Sequence, residues 1–202
     1  VRERTVWVPF GDGALLAQRP AGTGARALWS ALRGAAGVVD VVVTEEHVCV
    51  HFDPRAPPSG LEEVVARIAR EESPAEPREL VVRAHYEGPD LADVASRTGL
   101  SGDEVARIHA AGSYEVRMLG FVPGFAYLGG LDPRLVVPRR AVPRPRVPAG
   151  TIAVAAGYTA VYPFASPGGW NLIGRATGCD LFSADTGARL RLGDRVRFER
   201  VG

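Results

Sequence analysis

Apolar positions in the first third of the chain change period several times. "ALLAQ" (14–18) follows a Gly-Asp-Gly turn and reads as a strand, and "ARALWSALRG" (25–34) reads as a short helix ending at Gly34. "VVDVVVT" (38–44) and "HVCVHFD" (47–53) are separated only by Glu45-Glu46, a link that suits nothing but an antiparallel hairpin. Leu61, Val64, Val65 and Ile68 then recur at helical spacing within 59–73, with Ser59 in position to cap that helix. "ELVVRAHY" (79–86) returns to strand character. The order β-α-β-β-α-β predicts a ferredoxin-like α+β domain over 1–77. The boundary falls near 78, and the strand 79–86 is able to belong to either side of it.

Two short helices follow, "PDLADVASRTG" and "SGDEVARIHAAG"; the second opens with Ser101-x-x-Glu104, a capping box. From Ser113 onward the pattern becomes short strands cut by Gly and Pro, among them "TIAVAAG", "TAVYPF", "WNLIGRA" and "DRVRFERV". Their even spacing predicts a β-barrel or sandwich over 78–202. The segment 123–150 breaks this rhythm. Between Pro138 and Pro148 it holds four prolines and four arginines (Arg139, Arg140, Arg144, Arg146). Such a segment is extended and cannot be a central strand.

Composition changes the picture little. The chain is 46% apolar and 23% charged with a net charge of +1, so a nucleic-acid footprint is not expected. No apolar run reaches membrane-spanning length, and "VRERTVWVPF" lacks the apolar core of a signal peptide; a soluble cytoplasmic protein is expected. All 24 basic residues are arginine. A P-loop, Schiff-base or biotin-carrying lysine, where the chemistry needs one, must therefore come from another chain. Cys49 and Cys179 form no CxxC pair and are expected to be buried free thiols.

Several motifs are weak. "GTGARA" (Gly22–Ala27) fits G-x-G-x-x-A, but the next strand turns back as a hairpin where a dinucleotide site needs a parallel crossover. His47, Cys49 and His51 share one strand face, yet the two histidines sit roughly 13 Å apart, too far for one ion. No metal site is expected. His109, late in its helix, is a candidate general base, or else a helix-end histidine facing the C-terminal dipole or a core neighbour, which is the expected case. "SPGGW" is stronger: Pro167-Gly168-Gly169 forces a turn that a ligand or another backbone can approach closely, Trp170 adds a flat anchor, and Arg175 can grip a carboxylate or phosphate.

"LGFVPGFAYLGGLDPRL", "PRRAVPRPRVPAGTIAVAAG", "VYPFASPGGWNLIGR" and "LRLGDRVRF" together resemble the 5-oxoprolinase B-subunit family, also labelled allophanate hydrolase subunit 1 and including a sporulation-kinase inhibitor. The resemblance is dense over 80–202 and loose over 1–77. It implies a ferredoxin-like domain followed by a cyclophilin-like β-barrel. It also implies partners: a C subunit of the allophanate hydrolase subunit 2 type, and an A subunit. With these the family cleaves 5-oxo-L-proline to L-glutamate using ATP that is held mainly by a partner. On this resemblance the site wall shared with the C subunit is made of Gly124, Phe125, Tyr127, Arg139, Arg144, Tyr162, Ser166, Gly168, Gly169, Trp170 and Arg175. Arg175 and one loop arginine would hold the carboxylate of a small substrate. The family's "G-x-Q-T-G-I-Y-P" reads "AGYTAVYP" here, with Tyr158 in the glutamine position and Ala160 for a glycine. Two alternatives remain: a protein that binds a sensor histidine kinase and blocks its autophosphorylation, or a carboxyltransferase-type component acting on urea-derived amides. The sequence assigns no nucleophile.

Overall fold

Residues 5–68, 77–178 and 180–202 are described by the structure, a computed structural model. They fall into two units, Val1–Pro77 and Arg78–Gly202. In the first, strands β1 (Val8–Pro9), β2 (Ala14–Gln18), β3 (Val38–Val43) and β4 (His47–Phe52) form an antiparallel sheet in the order β1-β2-β4-β3. Helices α1 (Ala25–Arg33) and α2 (Leu61–Ile68) complete the unit. Cross-strand registers Leu15↔Val50↔Val41 and Ala17↔Val48↔Val43 put one apolar row after another on a single face. With Leu28, Leu32, Leu61 and Val65 from the helices, these residues make the core. Complete burial of a leucine such as Leu28 stabilises by about 1.5–3 kcal/mol.

Two expectations change in this unit. A ferredoxin-like sheet needs a fourth long strand after α2, and the candidate, 79–86, is taken by the barrel; the two-residue β1 lies beside β2 instead. Cys49 is half-exposed rather than buried, because it shares the open face of β4 with His47 and His51 while Val48 and Val50 face inward. Its Sγ lies 3.7 Å from His51 Nε2. Burial nonetheless raises its thiol pKa, so it is not an activated thiolate. Cys179 and residues 69–73 of the expected second helix lie outside the described residues.

The second unit begins with β5 (Glu79–His85), α3 (Leu91–Thr98) and α4 (Gly102–Ala111). The barrel then adds β6 (Ser113–Leu119), β7 (Ala126–Gly129), β9 (Thr151–Ala155), β10 (Tyr158–Val161), β12 (Asn171–Thr177) and β15 (Arg195–Arg200). It closes in the order β10-β7-β6-β15-β5-β12-β9, with β5 and β15 parallel. Closure leaves these seven strands no unpaired edge. Outside the barrel, β8 (Arg144–Val147) pairs with β11 (Ser166–Gly168), and β13 (Phe182–Ser183) pairs with β14 (Gly187–Ala188). The proline-rich segment thus ends in a two-stranded ribbon, the kind of place where proline's missing donor does no harm. The capping box on α4 forms as expected: Glu104 N–H donates to Ser101 Oγ and Ser101 N–H to Glu104 Oε2.

Strand alternation separates two clusters inside this unit. On β10, Thr159 reaches His109 while Ala160 faces the opposite way. On β9, Ala153 and Ala155 join Ala160, Phe125, Val147, Tyr162, Trp170 and Leu172 in a core of their own. The small alanines leave room there for the large rings.

Candidate functional site

The aromatic cluster is built on edge-to-face contacts. The Phe125 ring lies 5.1 Å from Tyr127, 5.3 Å from Tyr162 and 5.6 Å from Trp170, and Tyr127 lies 5.7 Å from Trp170. Such pairs prefer this geometry and add about 0.5–1.5 kcal/mol each beyond simple burial. Tyr158 extends the group, its ring 6.0 Å from Tyr127. Phe121 stands over it, 57% exposed and with its ring 5.4 Å from Phe125. Phe121 holds φ = 69°, a left-handed conformation that costs a non-glycine residue roughly 1–2 kcal/mol. Strained, exposed positions cluster at functional sites, which makes Phe121 a candidate site residue.

The arginine segment borders this cluster. Arg140 N–H donates to Gly169 O at 2.8 Å, Gly168 pairs with Arg144 across the β8–β11 ribbon, and Gly169 lies against Pro143 and the Arg139 guanidinium. A side chain at Gly168 would overlap the Tyr162 hydroxyl, so glycine here lets Tyr162 come up to the backbone. Beneath the arginines lies Asp90, 3% exposed. Its Oδ1 accepts from Arg140 Nη1 at 3.0 Å and from Arg144 Nη2 at 2.7 Å, and its Oδ2 accepts from Leu172 N–H at 2.7 Å. Asp90 occupies the N-cap position of α3, where an aspartate normally accepts from the first-turn N–H groups; it makes no such bond. Gly88 permits this placement, because a Cβ there would overlap the Leu172–Ile173 backbone.

Electrostatics follow from these contacts. Burial pushes the Asp90 carboxyl upward, but the hydrogen bonds from Arg144 and Leu172 N–H and the two guanidinium charges outweigh it and hold it below the usual carboxylate range. Burial raises both the Tyr127 and Tyr162 phenols, against a partial opposing pull from Arg139. Four buried polar atoms of this region have no hydrogen-bond partner: Arg140 Nε, Arg144 Nη1, Ser166 Oγ and Asn171 Oδ1. Among the described residues, no group of three or more His, Cys, Asp or Glu is placed to hold a metal ion. No described helix is long and apolar enough to cross a membrane.

Most of the residues expected at the site therefore lie together: Phe125, Tyr127, Arg139, Arg144, Tyr162, Ser166, Gly168, Gly169 and Trp170. Gly124 is turned to the neighbouring hairpin, where an added Cβ would come within 2.6 Å of Phe182. Arg175 is not brought to the cluster. It is exposed, pairs with Thr151 and His85, and lies four residues along β12 from Asn171, roughly 13 Å at strand rise. Arg175 is therefore not placed to grip a carboxylate at this cluster, and the arginines that border it are those of the proline segment. Sequence reasoning missed Asp90, whose "PDLADV" setting reads as an ordinary helix cap, and the strain at Phe121.

His109 faces core neighbours, as the expected reading had it, and is not placed to act as a general base. It is fully buried, its Nδ1 2.7 Å from Tyr86 Oη and its Nε2 2.8 Å from Thr159 Oγ1. Thr159 donates its hydroxyl proton to Ala153 O, so it accepts from His109 Nε2–H, and Nδ1 must accept from Tyr86. Burial lowers the His109 pKa to about 3. It is a neutral core histidine in a closed hydrogen-bond chain.

The closed seven-stranded barrel is similar in fold to carboxyltransferase domains. The chain belongs to the family described as "Carboxyltransferase domain, subdomain C and D", which matches residues 2–189. It is 48% identical over 116 residues to the 5-oxoprolinase B subunit of Bacillus subtilis (strain 168), a match covering 56% of this chain and 48% of that protein. The chain spans about half the length of the curated relatives it matches. Among solved structures, TTHA0988 is similar at TM-score 0.80 and 36% identity, over 94% of this chain and 39% of that one. The Kluyveromyces lactis urea amidolyase shares the fold at TM-score 0.73 and 16% identity, over 98% of this chain and 15% of that one.

Proposed function

We propose that this chain is the B subunit of an ATP-dependent 5-oxoprolinase, acting only with its A and C subunits to open 5-oxo-L-proline to L-glutamate. The observation that carries the reading is the pairing of flat aromatic faces with fixed guanidiniums, beside relatives named as the B subunit of 5-oxoprolinase. The substrate is a small, flat, five-membered lactam with one carboxylate; its ring suits the exposed Phe121 and half-buried Tyr127, and its charge suits the arginines. ATP is assigned to a partner chain. This chain has no lysine to reach a phosphate, and "GTGARA" leads through α1 into the antiparallel β3–β4 hairpin, not a parallel crossover. The test is reconstitution: this chain mixed with its candidate partners, with ATP-dependent glutamate release as the readout. Full activity without this chain refutes the reading.

A carboxyltransferase-type role on urea-derived amides is the second reading, favoured by Tyr158, which lies beside Tyr127 in the expected glutamine position and narrows that wall. Deleting the gene and comparing growth on 5-oxoproline and on urea as sole nitrogen source separates the two.

A further inference from the structure

Two cations share one buried anion beside the aromatic cluster. Arg140 and Arg144 each spend one terminal nitrogen on the same Asp90 oxygen, at 3.0 and 2.7 Å. Each side chain remains partly open to solvent, 33% for Arg140 and 25% for Arg144. The trio carries a net positive charge. Each guanidinium also keeps a buried nitrogen with no protein partner, Arg140 Nε and Arg144 Nη1. An arginine has five donors in a fixed fork, so anchoring one edge on Asp90 sets the direction of the others. Asp90 is itself fixed, because Leu172 N–H holds its second oxygen and Leu172 belongs to the aromatic cluster. It gives up its place as a helix cap to do so. Two arginines that share one satisfied carboxylate keep spare donors and a net positive charge, which a further anion can engage.

We propose that Asp90 is a positioning residue that locks Arg140 and Arg144 into a cradle for the carboxylate of a flat ring substrate lying against the partly exposed Tyr127 at the edge of the aromatic cluster. The proposal rests on the reading of this site as a 5-oxoprolinase site and adds the recognition element for the carboxylate. No covalent step is involved. Asp90 stays ionised and contributes orientation, while the arginines make the contacts.

The test compares 5-oxo-L-proline with 2-pyrrolidinone, the same lactam without the carboxylate, by calorimetry on the full chain and on the complex reconstituted with its partners. The cradle predicts a preference for 5-oxo-L-proline of about 10- to 100-fold, the size of charge-assisted hydrogen bonds. Asp90→Asn and Arg144→Gln should each reduce that preference by about tenfold, the loss falling on 5-oxo-L-proline more heavily than on 2-pyrrolidinone. Arg144→Lys, which keeps the charge and loses the fork, should fall in between, and Asp90→Glu should recover part of the preference. Equal affinity for the two lactams, parallel losses for both in Asp90→Asn, or no carboxylate-dependent binding by chain and complex alike overturns the proposal. If Asp90→Asn does not fold, the Arg144 pair decides. Arg144-dependent binding of another small carboxylate, such as pyrrole-2-carboxylate, without binding of 5-oxo-L-proline keeps the cradle and refutes the 5-oxoprolinase reading.

Discussion

Acidification should weaken the barrel through one residue, His109. Its neutral imidazole donates to Thr159 and accepts from Tyr86, and it is fully buried. Burial moves its pKa from 6.5 down to about 3. The unfolded chain therefore binds a proton at a pH where the folded chain does not. The stability tied to His109 is whole above about pH 6.5 and is lost progressively as pH falls toward 3. At about 1.36 kcal/mol per pKa unit, the site forfeits about 2 kcal/mol by pH 5 and about 4 kcal/mol by pH 3. Asp90 does not confuse the upper window, because its depressed pKa keeps it ionised until well below pH 5. The assay is urea denaturation at pH 7.5 and 5.0 in a Trp7→Phe, Trp29→Phe background, which leaves Trp170 as the single indole reporting on this unit. His109→Gln retains a donor for Thr159 and removes the titration. The parent should lose about 2 kcal/mol more than this variant between the two pH values. Equal losses in both would show that His109 is protonated in the folded state and would refute the reasoning.

Three further outcomes follow from close contacts. Gly168→Ala drives a methyl group into the Tyr162 hydroxyl and should cost about 1–3 kcal/mol, much of it recovered in a Gly168→Ala/Tyr162→Phe double variant; additive costs in thermal melts would contradict the contact. Gly88→Ala meets the Leu172–Ile173 backbone, which has no side chain to move aside, and should reduce soluble folded protein sharply, as read by circular dichroism; a native-like melt would refute it. Phe121→Gly relieves the left-handed backbone and loses little burial, so stability should change by less than about 1 kcal/mol while glutamate release by the reconstituted complex falls at least about tenfold; unchanged turnover would show that the exposed ring serves nothing.

What the sequence revealed, and what it hid, divides along physical lines. Local patterns were legible: the Glu45-Glu46 link gave the β3–β4 hairpin, Ser101 and Glu104 gave the cap of α4, and prolines 138–148 marked a segment outside the barrel sheet. It was the family resemblance, and not local pattern, that put the aromatic and glycine residues of "GFVPGFAY" and "SPGGW" on one wall, and of these Gly124 turns toward Phe182 instead. Long-range pairing was not legible. Glu79–His85 has the same alternation whichever sheet takes it, and only its parallel register with β15 decides the matter. Asp90 lies 50 and 54 residues from the arginines it holds, and a helix-start aspartate looks alike whether it caps or reaches away. Arg175 misled for the opposite reason: nearness to Trp170 in sequence hides four residues of extended strand between them.

The displaced titrations on this unit all point the same way. Tyr127 and Tyr162 are raised, Asp90 is lowered, and His109 is lowered and walled in, so each of these groups is moved away from neutrality. General acid–base work favours the reverse, a group tuned toward the working pH. A wall of neutral phenols and fixed guanidiniums instead offers shape, aromatic faces and constant charge, which hold a molecule without exchanging protons with it. Arginine suits that task better than lysine: a lysine at 140 or 144 would neutralise Asp90 as well but leave its remaining donors free to swing. The proline-stiffened segment extends the same logic to the backbone, fixing the arginines before a ligand arrives so that little ordering remains to be done on binding. In the proposed complex such a chain would orient a substrate, and proton transfer would fall to groups on other chains.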